Sequence, residues 1–277
     1  MTYSCFSVSI SDAIAHICLK RGDELNTMTP EFWRELPEII GTIDANATAR
    51  VIVLSAQGRH FSAGMDLAAF AGLASDEGEE VGRVQARLMR SIQKLQRSFT
   101  CLEQSRIPVV VAIQGACIGA GLDMVCACDM RYCTRDAFFT IHEINLGMTA
   151  DVGTFPRLTK LLPDGPLREL AYTGRKLEAG KAGHFGFVNE VFENHEEMME
   201  AVMQTAREIA AKSPLAIWGS KEMITYARDH TTADSLRHVA TWQAGMLQEE
   251  DVREGLSAQI EKRQAEFDDL LADKDLF

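Results

Sequence analysis

Three acidic residues, Asp123, Glu143 and Asp151, sit in or beside glycine-containing turns, where side chains can converge on a small molecule. A carboxylate moves a proton to or from carbon only if it is held against the reacting atom. Its pKa rises when apolar surroundings or a neighbouring carboxylate disfavour its charge. Each acid also has an ordinary reading: Asp123 can complement a helix N-terminus, Asp151 can cap the helix that follows it, and Glu143 can be a solvated loop residue. Two glycine loops accompany the acids. Phe61-Ser62-Ala63-Gly64-Met65-Asp66-Leu67 has the small residues that let a backbone bend and turn an amide N–H outward. Ile118-Gly119-Ala120-Gly121-Leu122-Asp123 joins a buried strand to a helix and so can aim N–H groups at an anion. No third glycine follows at the dinucleotide-binding offset, which disfavours a nicotinamide enzyme.

The elements that must hold these residues are legible from apolar patterning. Phe6 to Ile10 and Ile14 to Leu19 flank a polar pair and predict a hairpin. Thr29-Pro30 predicts a helix start, Arg50 to Ser55 a buried strand, and residues 57–67 a loop. Small and acidic residues over 71–80 predict a mobile segment, with Asp76 to Glu80 expected to flank an acyl pocket, before a long amphipathic helix at about 83–104. Val109 to Ile113 predicts a second buried strand leading into the second glycine loop. Met130 to Cys133, Ala137 to Ile141 and Phe187 to Phe192 are further strand candidates. The recurring order of strand, glycine loop, helix and strand predicts an α/β core with parallel strands. Four helices follow, near 196–212, 214–228, 232–248 and 251–265, so the chain divides into a core over 1–195 and a helical subdomain over 196–277.

Composition narrows the function. A chain of 277 residues with 46% hydrophobic and 25% charged residues can bury a large core, and no apolar run reaches the length of a membrane span. The net charge of -12 argues against nonspecific nucleic-acid binding but is compatible with a small anion held by local cations or helix N-termini. Seven cysteines in mostly apolar stretches read as core residues of a reducing compartment, and neither they nor the histidines have metal-ligand spacing. The first residues suggest no leader and Asp275-Leu276-Phe277 no peroxisomal address, so the expected location is the cytoplasm.

Taken together, Ala63-Gly64-Met65-Asp66-Leu67, Gly115-x-x-x-Gly119-Ala120-Gly121-x-Asp123 and Ala127-Cys128-Asp129-Met130-Arg131 resemble the crotonase (enoyl-CoA hydratase/isomerase) superfamily. The likeness continues to Lys212-Ser213-Pro214 and Asp251-x-x-Glu254-Gly255. Asp151, where hydratases usually have glycine, and the shorter Asp123, where they typically have glutamate, make the chain similar to 3,5- to 2,4-dienoyl-CoA isomerases. Ala150-Asp151-Val152-Gly153-Thr154 and Ala240-Thr241-Trp242 extend that closer resemblance.

The resemblance implies a spiral of ββα units with C-terminal helices that assemble homotrimers or hexamers. It implies an oxyanion hole made by the backbone N–H groups of Met65 and Ala120, with Ala120 where relatives often have glycine. The implied reaction, in fatty-acid β-oxidation, has Asp151 taking a proton from carbon 2 and Glu143 returning one at carbon 6. Asp123 tunes the pair. The substrate is an acyl-CoA, which brings the coenzyme A with it, and neither a metal nor a further cofactor is expected. Rival readings are a 2-enoyl-CoA hydratase or another acyl-CoA enzyme of the superfamily and, from a different class, a noncatalytic CoA-thioester or RNA-binding scaffold. Among nearby residues, His142 is expected to alternate away from Glu143 on a strand. Asp129 is expected to be structural and Asp66 to brace its loop. Trp218 and Trp242 are expected in core or subunit contacts, and Lys221 and Lys262 near the CoA phosphates or simply in solvent.

Overall fold

A computed structural model describes residues 2–66 and 80–274. Leu67, residues 71–79 of the expected mobile segment and the terminal residues 275–277 lie outside the described residues. The chain opens with the expected hairpin, β1 (Phe6–Ser11) and β2 (Ile14–Leu19). Its two turn residues, Asp12 and Ala13, both have positive φ, at 52° and 59°. That is the backbone a two-residue hairpin turn needs to match the strand twist.

From β2 onward the chain winds in repeating turns. Each turn lays one strand in a large sheet and a short extended piece in a second layer, and the first three then leave through a helix. The first turn is β2, Met28 and α1 (Pro30–Ala45), and the second is β3 (Val51–Ala56), Ser62 to Met65 and α2 (Val81–Gln104). The third is β4 (Val109–Ile113), β5 (Ala116–Ile118) and α3 (Ala120–Cys126). The fourth begins with β6 (Met130–Thr134) and β7 (Phe138–Thr140), and continues through α4 (Thr154–Leu158) and α5 (Asp164–Thr173). β8 (Leu177–Glu178), α6 (Ala179–His184) and β9 (Glu190–Phe192) close the spiral. The six-stranded sheet has the order β1-β2-β3-β4-β6-β9, parallel from β2 on, and the smaller sheet has the order β5-β7-β8. Of the three short helices between Thr154 and His184, the sequence-based expectation has only the one that follows Asp151, and the strand expected over 187–192 is confined to its last three residues.

The large sheet is buried on both faces, which explains why β3 and β4 read as unbroken apolar runs. Alternate residues divide between two cores. Ile52, Leu54, Val109 and Val111 meet Phe32, Leu36, Ile39 and Ile43 of α1. Val51, Val53, Val110 and Ala112 meet Met198, Val202 and Ala206 of α7 (His195–Ala210). α7, assigned from sequence to the helical part, therefore lies across the sheet. Beyond it, α8 (Pro214–Ala227), α9 (Thr232–Met246) and α10 (Glu249–Glu261) are more open, and α9 buries no residue fully. All seven cysteines are free thiols.

Candidate active site

The two glycine loops, distant in sequence, are joined in the second layer. Ser62 N–H donates to Ala116 C=O and Ile118 N–H donates to Ser62 C=O, both at 3.0 Å. The Ser62 hydroxyl donates to Asn26 C=O at 2.9 Å and accepts from Gly64 N–H at 3.1 Å, which fixes the bend. Gly64 has φ +89°, and a Cβ there would come within 2.7 Å of Ile118 C=O and 3.4 Å of the Ala120 nitrogen. Only glycine lets the loops come this close.

This closeness brings two amides near each other. Met28 N–H donates to Gly64 C=O and Asp66 N–H donates to Met28 C=O, so the intervening Met65 N–H points away from that bridge. Ala120 is the first residue of α3, where an N–H has no intrahelical acceptor. Neither amide has an acceptor among the described residues. Gly119 carries the unusual torsions, φ 53° and ψ -120°, whereas Ala120 is not among the residues of positive φ. Alanine therefore suits this position, and its N–H is retained.

Met65, Ala120, Asp123, Glu143 and Asp151 all line one cavity of about 660 Å³. Leu88, Ile92 and Leu95 of α2, spaced i, i+4 and i+7, supply an apolar wall that the sequence reading did not single out, although that helical stripe was its visible signal.

Asp123 is 1% exposed in the first turn of α3. Its Oδ1 accepts from both the backbone N–H and the hydroxyl of Thr154 at 2.5 Å each, while Oδ2 has no partner among the described residues. Burial pushes its pKa up to about 7; the Thr154 hydroxyl opposes that rise and the Glu143 carboxylate adds to it. The helix-terminus reading of Asp123 is thus met in an unexpected way: it stands in the first turn of its own helix, but its carboxylate binds the first N–H of α4. Thr154 was quoted within the resemblance but given no role.

Glu143 begins a 3-10 turn over Glu143–Leu146. Its Oε2 is buried without a partner among the described residues, and a Cβ on Gly119 would lie 3.1 Å from its Oε1. Burial raises its pKa, as does the Asp151 carboxylate, against its own backbone N–H. It is not a solvated loop residue. Asp151 is more open, and desolvation at the cavity wall raises its pKa as well. It does not cap α4: the cap position is Gly153, at φ +136°.

Other expectations change. β7 ends at Thr140, so strand alternation does not reach His142, and this side chain lines the cavity instead of facing away. Lys221 is 8% exposed and donates to the carbonyls of Leu102 and Ile107 at 2.8 and 3.1 Å while pairing with Asp129 at 2.9 Å. It is therefore structural, as is Asp129, which also accepts from Val109 N–H at 2.7 Å. Thr27 donates weakly to Asp66 at 3.4 Å. Trp218 and Trp242 meet edge to face at 5.0 Å. Lys262 ends α10 in the left-handed region. Among the described residues no group of three His, Cys, Asp or Glu side chains could hold a metal ion.

A ββα spiral whose second layer carries such a cavity is the crotonase fold. The chain belongs to the enoyl-CoA hydratase/isomerase family, whose profile matches residues 9–270. It is 40% identical over 262 residues to the mitochondrial Delta(3,5)-Delta(2,4)-dienoyl-CoA isomerase of Mus musculus, covering 93% of this chain and 80% of that one. It is 38% identical over 257 residues to the peroxisomal Delta(3,5)-Delta(2,4)-dienoyl-CoA isomerase of Arabidopsis thaliana, covering 92% of each. The crystal structure of enoyl-CoA hydratase from Bacillus anthracis superposes with a TM-score of 0.85 at 28% identity, covering 95% of this chain and 99% of that one. These relatives overturn the expected cytoplasmic location, since they are named as mitochondrial and peroxisomal proteins. The expectation rested on the ends of the chain, and a receptor-read address is independent of the fold that catalyses.

Proposed function

We propose that this chain is an isomerase that converts a 3,5-dienoyl-CoA into the 2,4-dienoyl-CoA. The thioester oxygen sits between the N–H groups of Met65 and Ala120, which strengthen their hold as that oxygen gains enolate charge. The Asp151 carboxylate takes a proton from carbon 2, and the electron pair of that C–H bond spreads through the conjugated system to carbon 6. Glu143, whose pKa is raised by its partly buried setting, gives its proton to carbon 6. Asp123 shares the cavity as a carboxyl group that burial disposes to stay neutral, so it adds little repulsion to the charge developing nearby. Conjugation and the two amides supply the stabilisation, and the substrate carries its own coenzyme A.

The observation that supports this reading best is the meeting of Asp151 and Glu143 in one apolar-walled cavity with both unengaged amides. A proton shift across a conjugated chain needs acids at separated positions, whereas hydration needs a pair around one water. The names of the relatives point the same way. Turnover of a 3,5-dienoyl-CoA measured beside a 2-enoyl-CoA tests it: preference for the dienoyl substrate is expected, and preference for hydration overturns it.

The proposal includes assembly in multiples of three through the C-terminal helices. Ile224, Val239 and Val252 are exposed on α8, α9 and α10 and line a cleft of about 770 Å³, and Leu236 and Leu256 are exposed on α9 and α10. An apolar surface of this kind favours burial against another subunit.

A further inference from the structure

The turn that carries Asp151 is gripped from behind by one stripe of α2. Gln96, Thr100 and Glu103 recur at i, i+4 and i+7 and so face one way. Gln96 Nε2 donates to Asp151 C=O at 2.7 Å. Arg157 Nη2 donates to the Thr100 hydroxyl at 3.2 Å and to Glu103 Oε2 at 3.1 Å, with Nε reaching the same oxygen at 3.3 Å. Arg228 Nη1 donates to the other oxygen of Glu103 at 2.7 Å. The Arg157 and Glu103 side chains are only 12% and 21% exposed. A planar guanidinium held by this many acceptors has little freedom.

That guanidinium lies flush against Gly153, where any Cβ would collide with Nη1. Gly153 links Val152, next to Asp151, with Thr154, the residue that binds Asp123. We propose that Arg157, clamped by Glu103, is a positioning residue of the reaction: it sets the turn over 151–154 so that Asp151 faces the cavity and both Thr154 donors meet Asp123. The inference rests on the isomerase reading of the site. Arg157 does not line the cavity and acts through the turn alone.

The test uses Arg157→Gln, Glu103→Gln and the double variant, with kcat and KM for a 3,5-dienoyl-CoA followed across the neutral pH range. Each single change is expected to lower kcat by about 10- to 100-fold, with KM within about threefold, as for a small misplacement of reacting groups. The double variant should lose no more than the worse single one, because both act through one clamp. The kcat profile should move to higher pH, since Asp123 loses donors that lower its pKa. An ion pair that only supports the fold would lower the melting temperature and leave that profile in place. A kcat within about twofold of the parent, an unmoved profile or additive losses each overturn the inference. Thermal melting and product binding show which variants are folded, and Glu103→Gln, nearly isosteric, carries the test if Arg157→Gln does not fold. Turnover by the parent chain tests the underlying reading separately: without it the isomerase assignment falls, and with it but with unmoved variants only the role of Arg157 falls.

Discussion

Asp123 and Thr154 are joined twice through a single carboxylate oxygen: the backbone N–H and the hydroxyl of Thr154 both reach Oδ1, and Oδ2 is left buried without a partner among the described residues. Two donors on one oxygen stabilise the anion, while burial of the other disfavours it. Burial wins, so the group titrates near neutrality.

The first prediction follows from that balance. A carboxyl group whose pKa rises on folding stabilises the fold while protonated, and this contribution is lost as pH rises through its folded pKa of about 7. Asp123→Asn keeps an Oδ1 acceptor for Thr154 and cannot ionise. Urea midpoints at about pH 5 and about pH 8 should therefore fall with pH more steeply for the parent than for the variant. Parallel slopes would show that Asp123 does not titrate in this range.

Asp151→Asn divides isomerase from hydratase. Gly153, not Asp151, occupies the cap position of α4, so the change removes a base without removing a helix cap. Dienoyl isomerisation should fall by about 10²- to 10⁴-fold together with exchange of the carbon 2 proton in heavy water, while any weak hydration of a 2-enoyl-CoA falls much less. Intact dienoyl turnover would remove Asp151 from the mechanism.

Glu143→Gln should reduce kcat by a similar order and leave CoA-thioester binding nearly unchanged, because a general acid acts mainly in the transition state. Calorimetric titration with the product checks binding, and rapid-mixing absorbance checks turnover. Matched losses in both would mean that Glu143 holds the ground state instead.

Ala120→Pro deletes one proposed oxyanion donor at the first position of α3, where a helix tolerates proline. The expected loss is about 10²- to 10³-fold in kcat with the fold retained by circular dichroism. Full activity in a folded variant would show that this amide does not face the substrate.

For assembly, sedimentation should give a mass that is a multiple of three chains. Leu236→Asp, at a side chain 66% exposed on α9, should weaken the assembly by placing charge in an apolar contact. A stable monomer at micromolar concentration would remove the proposal.

The sequence by itself determined the elements whose burial is periodic. The apolar runs of β3 and β4, the Phe32 to Ile43 stripe of α1 and the four late helices are local patterns, and local patterns fix which face turns inward. It also named the three acids and both glycine loops, because residue type and order survive without coordinates. Tertiary structure decided the rest. α4, α5 and α6 are short, and their packing outweighs weak propensity. His142 left the strand register once β7 ended at Thr140, and Lys221 became a buried partner of Asp129 because α8 folds back onto the loop after α2. Thr154 is an ordinary helix-start threonine until the chain brings it to Asp123, 31 residues earlier. Whether a carboxylate carries a proton near neutrality depends on desolvation and on donors from other segments, and both exist only after the spiral has closed.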